Sequence, residues 1–524
     1  METVFWRDGE VIVLQLGNQN WQDQFEIPQE IKWVYNQPDY FAKLPKQKRK
    51  NGKPKKQQKF FNMILVTAPI NLTDDEWARL HWKIDPYRVL YTPGVYDHLT
   101  QAGKNFLLQN RAKLIQQTPE ETIADLDKKY FTAEHGGFKM PPHHLVINRT
   151  LIQNGITYPD PGHLTVHVNT EDWQTLGNYR EDWYIAPHRQ MKVWLEFSQN
   201  VNVVVRLRVF ATQEGQRRQF VLDLDSRREP VIPLSVQDYG QFVSVAVEVR
   251  GLGDLTIGYV HGRWTRYGVG HYIPGGQRLI DPENNEEISY YFNPGDGQPP
   301  LNVYFSGVNM VETYEGKNML RRTQAPSLAI FDPRLSLGEF YFSANLEKRI
   351  TQLIWQTLSN LGFNHQQLVV MGISAGSYAA VKLGAPLQPK AIIVGKLLAN
   401  LGYIAARGRL HRPDDFQASY DIVTRIINNE SNIHDLQQLN DTYWRVLSEC
   451  DLSHTKLFVT YMKSDNFDDR SFARFAQTPA VKASEEFAYQ GYPGRHNDNS
   501  YAISNWFKRR LDQVLRDDFG REVK

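Results

Sequence analysis

The first chemical signal in the chain is the pentapeptide Gly372-Ile373-Ser374-Ala375-Gly376. A G-x-S-x-G pattern is common by itself, and its surroundings give it meaning. Here it directly follows the apolar run Gln367–Met371 and directly precedes Ser377–Leu383, a stretch of helix-forming composition. So tight a turn between strand and helix forces residue 374 into a strained backbone, and the flanking glycines leave room for it. The hydroxyl then stands above the strand end, with the Ala375 N–H facing the same point. The plain alternative is a turn of small residues in a doubly wound sheet. Strand before and helix after favour Ser374 as a nucleophile.

A serine hydroxyl is a poor nucleophile at neutral pH and needs an imidazole base oriented by a carboxylate. In the chain order serine, acid, histidine, the acid follows a late strand and the histidine precedes the last helix. After the strand-like run Lys456–Tyr461 come Asp465 and Asp468. After Ala483–Tyr489 comes the loop Gly491–Asn497, which carries His496, and then the helical stretch Ala502–Val514. Asp465 is the expected acid because it falls nearest the strand end, and Asp468 is the second choice. The same region holds His365, His411, His434 and His454, but none lies beyond the acid strand on a Gly/Pro-rich loop. An oxyanion hole needs two N–H donors. Ala375 supplies one, and the loop Ser306-Gly307-Val308 after Leu301–Phe305 offers Gly307 as the other.

The elements that must hold these residues read as α/β, in three parts. Residues 1–155 form a mixed α/β region with β-rich runs at Val11–Leu16 and Met63–Thr67 and helix-forming composition over Asp97–Gln117. Residues 156–297 carry strand-length runs at regular spacing, among them Lys192–Phe197, Val201–Phe210, Phe242–Val249 and Leu255–His261, which predicts a β-sandwich-like domain. In residues 298–524 apolar strands alternate with helices such as Leu346–Leu361, which predicts an α/β-hydrolase-like doubly wound sheet.

The whole is 524 residues, about three domains at roughly 150 residues each. Its 41% hydrophobic and 23% charged content excludes global disorder and fibrous repeats. One cysteine, Cys450, excludes an intramolecular disulfide framework and a Cys-rich zinc site. His135-Gly-Gly and His143-His144 lack metal-ligand spacing, so no metal is expected. Basic and acidic residues nearly balance, 60 against 58, yet nine of the basic ones lie in Lys43–Lys59 with no acid among them. The chain is therefore no globally basic nucleic-acid binder. The basic loop 43–59 is read as a solvated insertion, with anionic lipid or an acidic partner as its functional alternative. The N-terminus has no signal-peptide pattern, and Ala391–Ala406 is too interrupted to span a bilayer. A cytoplasmic protein is expected, with peripheral membrane contact left open.

The turn Gly372–Ser377, the strand end Tyr461–Asp465, the segment Gly494-Arg495-His496-Asn497 and the β-rich middle together resemble a known family. It is the second accessory secretory protein of the Gram-positive accessory Sec system. The resemblance implies a component needed to export serine-rich repeat glycoprotein adhesins. Its partners would be two sister accessory secretory proteins, the accessory Sec ATPase and channel, and the adhesin. It further implies an O-acetyltransferase acting on N-acetylglucosamine of the adhesin, with Ser374 accepting the acyl group and His496 as base. The acid in this family can be glutamate, and Asp465 stands in its place. No bound cofactor is implied, only an acetyl donor as co-substrate. Two rivals stand beside this reading: a carbohydrate esterase with the same triad, and an export scaffold without chemistry.

Overall fold

The computed structural model describes residues 11–37, 61–131, 138–151, 155–160, 162–186, 189–199, 202–213, 216–223, 241–308, 312–337, 339–411 and 433–522. The basic segment 43–59 lies outside them. The chain divides into two compact units. One comprises Met1–His135, Thr265–Gly276 and Asn293–Gly297. The other comprises Gly136–Trp264, Gln277–Phe292 and Gln298–Lys524.

The first unit is built on a five-stranded parallel sheet of β1 (Val11–Leu16), β2 (Ile31–Tyr35), β3 (Met63–Val66), β4 (Val89–Tyr91) and β5 (Lys113–Leu114), in the order β2-β1-β3-β4-β5. Strands β1 and β3 are buried at every position, as expected where a parallel sheet is covered on both faces. The helices Asp74–His81 and Pro119–Tyr130 each begin with a capping box, Thr73 with Glu76 and Thr118 with Glu121. The helix expected over Asp97–Gln117 is shorter, Gln101–Gln109. Thr100 caps its start, and Arg111 at φ 49° turns the chain into β5.

The second unit holds the β-rich region as one continuous antiparallel sheet instead of the two sheets of a sandwich. Its strands are β6 (Phe138–Met140), β7 (Leu145–Ile147), β8 (Ile156–Asp160), β9 (His163–Tyr179), β10 (Trp183–Ile185), β11 (Met191–Gln199), β12 (Val203–Gln213), β13 (Gln216–Asp223) and β14 (Gln241–Trp264). The stretches Phe242–Val249 and Leu255–His261 belong to a single strand, β14. Along one edge of β14, β12 pairs with Phe242–Gly251 and β11 with Leu255–Trp264. Gly251 and Gly253 sit at the junction with φ 117° and 146°, conformations that L side chains rarely adopt. A Cβ on Gly251 would collide with the Asn202 carbonyl. The glycines thus bend the strand where the sequence suggests a turn, and both halves of the sheet bury their apolar faces in one cluster.

The eight-stranded sheet adds β15 (Gly276–Ile280), β16 (Glu287–Asn293), β17 (Leu301–Phe305), β18 (Ser327–Phe331), β19 (Leu368–Ile373), β20 (Ala391–Gly395), β21 (Lys456–Met462) and β22 (Glu486–Tyr492), ordered β15-β16-β18-β17-β19-β20-β21-β22. From β18 to β22 every pairing is parallel. The helix Ala344–Leu361 buries Leu346, Ile350, Ile354 and Leu358, capped by Ser343 at its start and Gly362 at its end. The chain leaves β17 for β18 on one side and returns to β19 on the other. That reversal makes the carboxyl ends of β17 and β19 the switch point of the sheet, the usual ligand position in such folds.

A buried ionic cluster also lies in this unit. Arg334 is 5% exposed and holds Asp332 at 2.9 Å, Glu339 at 2.7 Å and Glu286 at 2.5 Å. Glu286 faces His163 Nε2 at 3.6 Å, and His163 Nδ1 lies 2.9 Å from Asp160. His261 Nε2 lies 2.7 Å from Glu196, with its ring stacked on Trp194. Burial alone would raise the Glu287 carboxyl, but Arg263 and Arg278 hold it far below the usual range.

Candidate active site

Strand β19 ends at Ile373, and the helix Ala375–Lys382 begins two residues later. Ser374 joins them at φ 58°, ψ −126°. A side chain held in that region costs about 1–3 kcal/mol, which the surrounding structure must offset. Neighbouring bonds do so. The Ser374 N–H donates to Gly395 O at 2.9 Å, and its carbonyl accepts from the Ser377 hydroxyl at 2.6 Å. The glycines allow the approach: a Cβ on Gly372 would strike the Gly376 carbonyl, and one on Gly376 the Phe305 carbonyl.

The structure brings Ser374, His496 and Asp465 into one chain of contacts. Ser374 Oγ lies 2.8 Å from His496 Nε2, and His496 Nδ1 lies 2.8 Å from Asp465 Oδ2. An ionised Asp465 can only accept, so Nδ1 carries the proton and Nε2 is left to accept from the serine hydroxyl. Asp465 follows β21 and its other oxygen accepts the Phe467 and Asp468 N–H groups at 2.8 and 3.1 Å. Burial pushes its carboxyl up, but the His496 hydrogen bond and charge, with those two N–H groups, bring it below its ordinary value. His496 is 2% exposed. Its backbone N–H donates to Asn466 Oδ1 at 3.0 Å, and the Phe467 and His496 rings pack edge to face with centroids 4.6 Å apart. Serine stays half-buried while its base and acid are dry.

Asp468, the second choice for the acid, does something else. Its carboxylate accepts the Ala399 and Asn400 N–H groups at 2.9 and 2.8 Å and the Asn400 side chain at 2.9 Å. Burial dominates there and raises the carboxyl. Asp468 therefore pins the loop after β20, and Asn400 passes the contact on to Trp444 Nε1 at 2.8 Å.

Of the two expected oxyanion donors, Ala375 N–H is at the first position of its helix, where no intrahelical acceptor exists. The Gly307 N–H is engaged: it donates to Glu315 Oε2 at 2.8 Å. Glu315 also accepts from the Tyr304 hydroxyl. Sequence reasoning missed Glu315, which has no motif around it and meets this end of β17 through Gly307 and Tyr304. It also missed Lys396, 6% exposed at the end of β20, whose ammonium donates to Ser500 Oγ at 3.0 Å. Burial lowers the Lys396 ammonium, while Asp465 and Asp498 act to raise it. Among the described residues no three His, Cys, Asp or Glu side chains are grouped as metal ligands, and no helix is long and apolar enough to cross a membrane.

Relatives match over nearly the whole length. The second accessory Sec system protein of Streptococcus gordonii is 31% identical over 97% of this chain and 99% of its own. Its counterpart in Staphylococcus aureus is 30% identical over 97% of each. A solved structure, the Glycosylation Associate Protein (Gap123) complex from Streptococcus agalactiae, contains a chain 28% identical with a TM-score of 0.80, covering 98% of this chain and all of that one. Residues 11–521 match the family described as the accessory Sec system GspB-transporter. The chain belongs to that accessory Sec family.

Proposed function

We propose that this protein serves glycoprotein export through the accessory Sec system and that its α/β-hydrolase-like part transfers acetyl groups to sugar. The observation that carries the chemistry is the Ser374–His496–Asp465 relay at a strained strand-to-helix turn. His496 Nε2 takes the hydroxyl proton as Ser374 Oγ attacks the acetyl carbonyl of a donor. The tetrahedral oxyanion is held by the Ala375 N–H and a second donor. Its collapse expels the donor's leaving group, which takes the proton from His496, and leaves acetyl-Ser374. A hydroxyl of N-acetylglucosamine on a serine-rich repeat adhesin then attacks the acetyl carbonyl and gives its proton to His496; collapse breaks the bond to Ser374 Oγ, which takes that proton back, and the acetyl ester is left on the sugar. Water in place of the sugar would make the same site a carbohydrate esterase, so exclusion of water decides the product.

The assembly role is favoured separately by the similarity to a chain of the Gap123 complex. The sister accessory secretory proteins are the proposed partners on that ground. The accessory Sec ATPase and channel follow from the family reading.

The test compares cells carrying wild type and Ser374→Ala. The adhesin is recovered, its glycan acetyl content read by mass spectrometry, and the exported amount measured. Loss of acetyl groups with the protein still folded is the expected outcome. Unchanged acetyl content would reject the chemistry, and unchanged export alongside it would leave the scaffold role alone.

A further inference from the structure

We propose that the second N–H of the oxyanion hole belongs to Val308 and that Glu315 is the positioning residue that aims it. This rests on reading Ser374 as an acyl-transfer nucleophile. The loop after β17 runs against that serine: a Cβ on Gly307 would lie 3.0 Å from Ile373 O and 3.6 Å from Ser374 Cβ. The peptide between Ser306 and Gly307 is held on both sides. Its carbonyl accepts the Tyr341 hydroxyl at 2.8 Å, and its N–H donates to Glu315 Oε2 at 2.8 Å. One residue earlier, the Ser306 N–H donates to Ile330 O at 2.9 Å. A trans peptide points its C=O and N–H in opposite directions. Binding both fixes the plane of the unit and with it the Gly307 Cα from which the next peptide starts.

The next donor along the chain is the Val308 N–H, which meets no acceptor among the described residues. A backbone N–H one residue beyond the close approach of Gly307 to Ser374, with no acceptor among the described residues, is suited to the charge that develops on an acyl oxygen. Burial pushes the Glu315 carboxyl up, against the pull of the Gly307 N–H and the Tyr304 hydroxyl. A carboxyl nearer its neutral form holds the peptide without repelling the oxyanion.

The test uses the full chain with p-nitrophenyl acetate as probe, each variant checked by circular dichroism and thermal melting. Glu315→Ala and Val308→Pro should each lower kcat by about 10²–10³-fold with KM changed less than about threefold. Glu315→Gln keeps an acceptor oxygen for Gly307 and should recover kcat to within about tenfold of wild type. The double variant should lose no more than Val308→Pro alone, because both remove one interaction. If Glu315→Ala does not fold, Val308→Ala, which keeps the N–H, is set against Val308→Pro, and equal kcat values for those two overturn the proposal. Wild-type kcat in Glu315→Ala, with Ser374→Ala inactive, overturns the role of Glu315 and leaves the acyl-transfer reading standing. Turnover that does not depend on Ser374, or no turnover by wild type, overturns that reading and the inference with it.

Discussion

Two regions of the second unit hold buried histidine–carboxylate pairs, and one of these pairs meets a serine hydroxyl. His496 with Asp465 sits against Ser374 beyond the end of β19. His261 with Glu196, and His163 with Asp160, sit in the ionic cluster around Arg334. The distances are alike, 2.8 Å against 2.7 and 2.9 Å. What differs is the other face of the ring. His496 Nε2 meets a serine hydroxyl on a strained turn. The cluster histidines meet further charge, Glu286 in the case of His163, or an aromatic face, Trp194 in the case of His261. A carboxylate-oriented imidazole is thus a common structural device. The serine set into a strained turn at residue 374 is what sets one of them apart.

The sharpest way to break this comparison is to remove the nucleophile. Ser374→Ala should lower acyl turnover by about 10⁶-fold with little change in melting temperature, as measured with an acetyl ester. Asp465→Asn should cost about 10⁴-fold in kcat, because the amide favours the wrong tautomer of His496. Glu196→Gln, the matching change in the cluster, should leave kcat nearly intact, and a comparable loss there would erase the distinction. Arg334→Met leaves three carboxylates buried without their cation and should cost about 3–5 kcal/mol of stability in urea unfolding. Asp468→Ala strips an acceptor from two backbone N–H groups and should cost about 1–3 kcal/mol in the same assay.

The smallest effect is a pH trend. The folded Asp465 carboxyl lies below its ordinary value, so it contributes stability above the unfolded-state pKa, about 3.9. That contribution is lost as pH falls through the folded value. Asp465→Asn should flatten the acid side of a melting-temperature profile, and an unchanged slope would contradict the assignment.

Much of the eight-stranded sheet was legible because its signals are local. The apolar runs of β17 to β21 and the i, i+3/i+4 spacing of Leu346, Ile350, Ile354 and Leu358 are short-range patterns, and the turn at Ser374 is marked by glycines that only close backbone approach requires. Asp465 and His496 followed from chain order. The ionic cluster was not legible, since its members are drawn from positions 160 to 339 with no period linking them. Phe242–Val249 and Leu255–His261 read as two strands because a sequence pattern does not separate a bent strand from two strands. Glu315 escaped for the same reason as the cluster: its contact with Gly307 is a property of a folded loop, and no spacing rule announces it.

The cluster around Arg334 also bears on how this protein can be cut. Residues 298–524 look, from their pattern, like a module that could be expressed or exchanged by itself. A fragment beginning at Gln298 would keep Arg334, Asp332 and Glu339 but leave behind Glu286 and the β16 strand that flanks β18. It would thereby gain an open sheet edge, a template for edge-to-edge aggregation. Recombination between relatives would meet the same penalty at that point, so the half that carries Ser374 and the segment that carries Glu286 and β16 should be inherited as one piece.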